Sequence, residues 1–172
     1  MQLLVWEYGG SMIDALKRYI YLFSIFALFF CSTSLLADNF YTCTRVVDGD
    51  TIVVEGIGKV RLIGVDTPET VHPRKPVEHY GKEASNFTKR MVEGKKVRLE
   101  YDWQKKDKYR RTLAYVYLRD GTFLNAEIVK QGYGYAYTKY PFKYLDQFRE
   151  YEKEARENKR GLWQRGRIKT SR

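Results

Sequence analysis

Between residues 41 and 65, three β-rich runs follow one another with almost no chain to spare. Residues 41–47, 51–55 and 59–65 are separated only by Asp48-Gly49-Asp50 and Gly56-Ile57-Gly58. β-Branched and aromatic residues bounded by Gly and Asp read as strands, and Asp-Gly between two such runs is a strong hairpin signal. Tight turns join antiparallel neighbours, so the fold is expected to open on a three-stranded meander. Asp50 then sits on one turn, while Asp66 and Glu69 stand at the exit of the third strand.

That exit reads Arg61-Leu62-Ile63-Gly64-Val65-Asp66-Thr67-Pro68-Glu69. Charges beside an apolar run are costly to bury without a partner, a metal or a charged substrate. Two carboxylates and one guanidinium suit a site that holds a cation and a phosphate together; a salt bridge beside a β-turn would use the same residues. Strict alternation puts Arg61 and Asp66 on opposite faces. Gly64 is where a bulge or kink would bring them together.

Tyr80, Ala84, Phe87 and Met91 recur at helical spacing, and Gly94 stands where a C-terminal cap belongs. Val97, Leu99 and Tyr101 alternate with charges in a fourth strand. A cationic loop at 104–111 leads to a fifth strand at 112–118. A short helix follows, with Asn125 as candidate N-cap and Gly132 as its stop. After the aromatic segment 133–137, Leu145, Phe148, Tyr151 and Ala155 mark the buried stripe of a last helix, with Leu162-Trp163 pinning its end. Five strands with a helix after the third fit an α+β fold, a five-stranded Greek-key barrel of the oligonucleotide-binding (OB) type with helices beneath.

The chain has 172 residues, room for one domain and a leader. Its 31 Lys+Arg against 21 Asp+Glu favour a polyanionic partner, although a merely basic, soluble surface would carry the same +10. Fifteen tyrosines interleaved with Lys and Arg would stack bases and pair phosphates, or fill a small barrel. Lys17-Arg18, the apolar run 19–30 and the small residues ending at Ala37 form a signal-peptide pattern for residues 1–37. The apolar run is shorter than the ~20 residues of a spanning helix; with residues 31–37 included it would serve as an uncleaved anchor. Met12 would make a conventional start, and bulky Phe30 argues against lipidation of Cys31. Cleavage leaves the balance at +10 and Cys43 as the one thiol, expected as a buried strand residue rather than half of a disulfide. No Cys/His cluster supports zinc.

Residues 41–163 resemble the thermonuclease (staphylococcal nuclease) family. The resemblance rests on Asp48-Gly-Asp-Thr51, on 61–69, on the loop 69–81 with the helix 82–91, and on Asp107-Lys-Tyr-Arg-Arg-Thr-Leu-Ala-Tyr115. It implies a five-stranded barrel with three α-helices, for a domain expected at 38–163; the residues after it, 164–172, carry four cations and no acid and read as a flexible basic tail outside the resemblance. It also implies a calcium-dependent nuclease that hydrolyses DNA and RNA, single-stranded or locally open, and leaves 3′-phosphorylated products. Asp50, Asp66 and the Thr67 carbonyl then hold calcium, and Glu69 positions or deprotonates the attacking water. Arg61 and Arg111 clamp phosphate, and Lys108, Tyr109, Tyr135 and Tyr137 line the nucleotide pocket. The alternative is a barrel that grips nucleic acid without cutting it; such a protein is expected to lack several of these residues. The family often has Gly where Arg110 stands, in a turn of positive φ that Arg tolerates poorly. Export to the periplasm or medium is expected, with no protein partner implied and a monomer as the default.

Overall fold

The structure, a computed structural model, describes residues 12–13, 16–22, 39–70 and 78–164. Chain contacts divide it into residues 1–37 and 38–172. In the first unit, residues 16–22 are helical. The expected processing site after Ala37, the loop at 71–77 and all but the first residue of the expected tail 164–172 lie outside the described residues. Among the described residues, no helix is long and apolar enough to cross a membrane.

The second unit is a closed five-stranded barrel. It is built from β1 (Phe40–Asp48), β2 (Thr51–Val54), β3 (Gly58–Leu62), β5 (Lys96–Glu100) and β6 (Thr112–Leu118), in the order β1-β2-β3-β6-β5. All neighbours run antiparallel except β3 and β6, which pair in parallel through Val60–Thr112 and Leu62–Ala114. β1 pairs with both β2 and β5, and its register shifts at Cys43/Arg45 and Val46/Asp48 supply the bends that closure needs. Ile52, Val54, Val60, Leu62, Val97 and Val116 fill the interior.

Among the described residues of this second unit there are three α-helices, α1 (Gly81–Val92), α2 (Leu124–Lys130) and α3 (Leu145–Glu157), together with a short 3-10 turn, Gly161–Trp163, that the pattern did not separate. On α1 the buried face is Ala84, Ser85, Thr88 and Val92, while Tyr80 is its N-cap in left-handed geometry rather than part of the stripe. Phe148 and Ala155 are the buried residues of α3. The meander's third strand does not run straight to residue 65. It breaks after Leu62, and β4 (Val65–Asp66) leaves the barrel to pair with β7 (Tyr135–Ala136).

Cys43 is fully buried in β1, and burial pushes its thiol up to about 11. A raised pKa favours the protonated thiol in the folded state. Its stabilising share is therefore complete below the unfolded value of about 8.5 and is lost as pH rises toward about 11. Cys43 is expected to resist a thiol reagent at pH 8 until denaturant is added, with peptide mass mapping to separate it from Cys31.

Candidate active site

The β1–β2 turn presses against the exit from β4. A Cβ on Gly49 would stand 2.7 Å from Thr67 Oγ1, so only glycine allows this approach without displacing Thr67. Thr88 of α1 donates its hydroxyl to Gly49 O at 2.6 Å and locks the turn from the other side. Asp50 is thereby buried at 2 % exposure. Its Oδ2 accepts the Thr67 N–H at 3.0 Å and the Thr67 hydroxyl at 3.1 Å, and its Oδ1 accepts the Thr51 hydroxyl at 3.0 Å.

Arg61 completes the group. Its Nη1 forms an ion pair with Asp50, and its Nη2 donates to Asp66 Oδ1 at 2.9 Å and to Val65 O at 3.2 Å. The bend needed between Arg61 and Asp66 is present: Gly64 has φ +75°, which carries the chain out of β3 and turns Asp66 back toward the arginine. Burial lowers the Arg61 pKa, and Asp66 beside it pushes back.

The bend is clipped from below by Asn125. This residue is not the N-cap of α2; Phe123 takes that place without a side-chain bond. Asn125 is fully buried, accepts the Val116 N–H at 2.9 Å, and donates to Ile63 O at 2.9 Å and Ala114 O at 3.2 Å. Each polar atom of the amide is satisfied, as burial requires.

Arg111 arrives from the loop before β6. Asp107 holds it, accepting the Arg111 N–H at 2.9 Å on Oδ1 and the Nε–H at 2.6 Å on Oδ2. The same Oδ1 accepts the Tyr109 N–H at 2.9 Å, so one carboxylate shapes the whole turn. Within it Arg110 has φ +65°, so the turn takes the left-handed geometry that favours glycine although an arginine occupies it. A side chain there costs ~1–2 kcal/mol, of which glycine returns part as unfolded-state entropy. Arg110→Gly is therefore expected to gain up to ~1 kcal/mol and raise the melting temperature by a few degrees, as read by thermal denaturation.

Arg61, Asp66, Lys108, Tyr109, Arg111 and Tyr137 are among the residues lining one groove of about 550 Å³, whereas Asp50, Thr67 and Glu69 are not in that lining. Tyr135 is not in that lining; it meets Trp163 edge-on with ring centroids 5.5 Å apart. Glu69 lies on the β4 exit, its N–H bonded to Glu78 Oε2 at 3.1 Å and its carbonyl accepting the Glu78 N–H at 2.9 Å across the base of the 71–77 loop. Its carboxyl interacts with that of Asp48, which stands in the Asp48–Thr51 motif. Asp48 is buried and accepts the Gly49 N–H at 2.8 Å and the Thr70 hydroxyl at 2.7 Å. Burial raises the Asp48 carboxyl above the usual range; the Thr70 hydroxyl opposes that shift, and Glu69 adds to it.

Among the described residues, no cluster of three or more His, Cys, Asp or Glu side chains is arranged around one ion position. The oxygen-only donors gathered here, Asp50 and Asp66 on a single guanidinium with Thr67 against Asp50, fit a hard cation rather than zinc or a soft metal.

A closed barrel that brings carboxylates, two arginines and tyrosines to one groove defines an OB-fold hydrolase of phosphodiesters. The comparisons agree. A family profile described as "Staphylococcal nuclease homologue" matches residues 59–165. The Thermonuclease of Staphylococcus hyicus is 50 % identical over 127 residues, 72 % of this chain and 75 % of that protein. The Thermonuclease of Staphylococcus intermedius is 50 % identical over 129 residues, 73 % and 76 % of the two chains. Endonuclease YncB of Bacillus subtilis is 43 % identical over 137 residues, 76 % of this chain and 64 % of that protein. The chain belongs to the thermonuclease family and is a nuclease, acting on nucleic acid.

Proposed function

We propose that the chain is an exported, calcium-dependent nuclease that cuts DNA and RNA with little sequence specificity, leaves 3′-phosphorylated ends and works as a monomer. The observation that carries this reading is the Asp50–Arg61–Asp66 group opening on the groove that also receives Arg111. Asp50 and Asp66, with the Thr67 carbonyl, offer the oxygen donors that calcium takes in flexible geometry. Calcium, when bound, polarises a phosphoryl oxygen and lowers the cost of activating a water.

The remaining work falls to side chains. Phosphodiester hydrolysis builds negative charge on the phosphoryl oxygens, so catalysis is mostly electrostatic and positional. Arg61 and Arg111 fork onto those oxygens. Glu69, on the same exit as Asp66 and Thr67, orients the attacking water and accepts its proton. Lys108, Tyr109 and Tyr137 hold the nucleotide beside the cleaved bond, with a cation for phosphate and rings for the base. Residues 1–37 address the chain for export, and it remains membrane-held where they are not removed.

The test incubates the protein with single-stranded DNA, adds calcium, then excess chelator. Cleavage is expected to appear with calcium, to stop with chelator, and to yield ends that accept ligation only after 3′-phosphatase treatment. Cleavage that ignores calcium, or that survives both Glu69→Gln and Arg111→Ala, would overturn the reading. Fractionation of expressing cells, with mass determination of the secreted species, tests export and processing after Ala37.

A further inference from the structure

The groove continues past the residues that the proposed chemistry uses. Its lining also includes the segments 102–104 and 139–142, with Trp103, Tyr140 and Pro141. Trp103 is 67 % exposed and Tyr140 is 55 % exposed. Large aromatic faces left in water are unfavourable unless something covers them in use. Trp103 is nonetheless held in place: its Nε1–H donates to Pro141 O at 3.1 Å, so its polar edge is tied down and its ring remains open.

The two segments are fastened to each other at the base. Asp102 Oδ2 accepts the Lys143 N–H at 2.9 Å and also the hydroxyl of fully buried Tyr115. Asp102 Oδ1 accepts the Trp103 N–H at 2.8 Å. Burial opposes the Asp102 charge, but the Tyr115 hydroxyl and the two N–H groups outweigh it and hold the carboxyl below its usual range. Tyr140 continues toward the nucleotide pocket, its ring centroid 6.1 Å from that of Tyr137, with Lys139 Nζ 5.9 Å from the Tyr140 ring. A fixed aromatic surface loses little conformational entropy when a flat ring settles on it.

We propose that Trp103 and Tyr140 form a second base-stacking subsite, beyond the nucleotide held by Tyr109 and Tyr137, so that the groove grips an extended single strand. This inference rests on the nuclease reading of the same groove. The occupant is a single-stranded polynucleotide, because the surface is continuous with the phosphate-binding arginines and edged by Lys139 and Lys108. Base–aromatic stacking tolerates any sequence and is strong enough for about a 5- to 150-fold effect on affinity.

The test compares steady-state cleavage of a dinucleotide and of a single-stranded octanucleotide, each with a fluorophore and quencher. Trp103→Ala is expected to raise KM for the octanucleotide about tenfold more than for the dinucleotide, with kcat on the octanucleotide little changed. Trp103→Phe should recover a large part of that loss. Scanning an abasic site along the octanucleotide should find one position where the missing base weakens wild type but not Trp103→Ala. A Trp103→Ala effect that is equal for both lengths, a flat abasic scan, or no recovery by phenylalanine would overturn the subsite. If wild type cleaves neither substrate with calcium present, the nuclease reading itself fails; cleavage of both with no length dependence removes only the subsite.

Discussion

Arg111→Ala is expected to lower the cleavage rate by on the order of 10³-fold or more while the protein stays folded. Arg111 reaches the groove from a loop, where Asp107 takes its Nε–H at 2.6 Å and its guanidinium lies 5.5 Å from the centre of the Tyr109 ring. That leaves the terminal nitrogens for a phosphate oxygen. The pair is partly exposed, so its loss costs little stability. Single-turnover cleavage of a defined oligonucleotide, with a thermal melt alongside, separates the two effects. Arg111→Lys should recover little, because an ammonium is a point charge without the planar fork. Asp107→Ala should fall between the two, because it frees the arginine and unties Tyr109 in the same turn. Retention of more than a tenth of the activity by Arg111→Ala would remove the residue from the site.

Gly64→Ala should act on the fold and the site together. At φ +75° a side chain is strained by ~1–2 kcal/mol. The added Cβ would also lie 2.7 Å from the Phe142 ring and 3.2 Å from Phe148 Cδ1. Phe148 is fully buried, so the rings can yield only by disturbing the core, at a further ~1–3 kcal/mol. Together these amount to ~2–5 kcal/mol, a large share of the stability of an ordinary domain. Activity measured where the variant remains folded should also fall, because the bend places Asp66 against Arg61. Gly58→Ala is the control: its φ is +90°, but nothing lies within 4 Å of the new Cβ. It should lose only the backbone share, and a urea melt that ranked Gly58→Ala level with Gly64→Ala would show that the packing argument is wrong.

Much of this arrangement was legible because it is local. The two tight turns, the helical stripe around Ala84 and the alternation at Val97 and Leu99 announce their elements through patterns a few residues long. The bend at Gly64 was visible as a contradiction, since straight alternation would have parted Arg61 from Asp66. Arg110 was visible as a misfit in its own turn. What escaped is non-local. The two-residue pairing of β4 with β7 is too short to leave a pattern. Asn125 looked like a cap because caps favour asparagine; its actual partners, Ile63 and Val116, belong to other parts of the fold and carry no mark of the contact. Asp48 sits in a quoted motif, but its meeting with Thr70 depends on how the β1–β2 turn docks. Tyr135 and Tyr137 share one aromatic segment, yet only Tyr137 reaches the groove.

The Asp50–Arg61–Asp66 group also bears on how the domain is assembled. Two gathered carboxylates would repel each other in a newly folded chain, and Asp50 is too deeply placed for water to relieve it. The guanidinium acts as an internal counter-ion that lets both carboxylates stand together as the barrel closes. The calcium proposed for this site would have to compete with that positive charge, so neutralising Arg61 is expected to tighten calcium binding even as it removes a phosphate clamp. The residue proposed to clamp the substrate thus also balances charge inside the folded barrel.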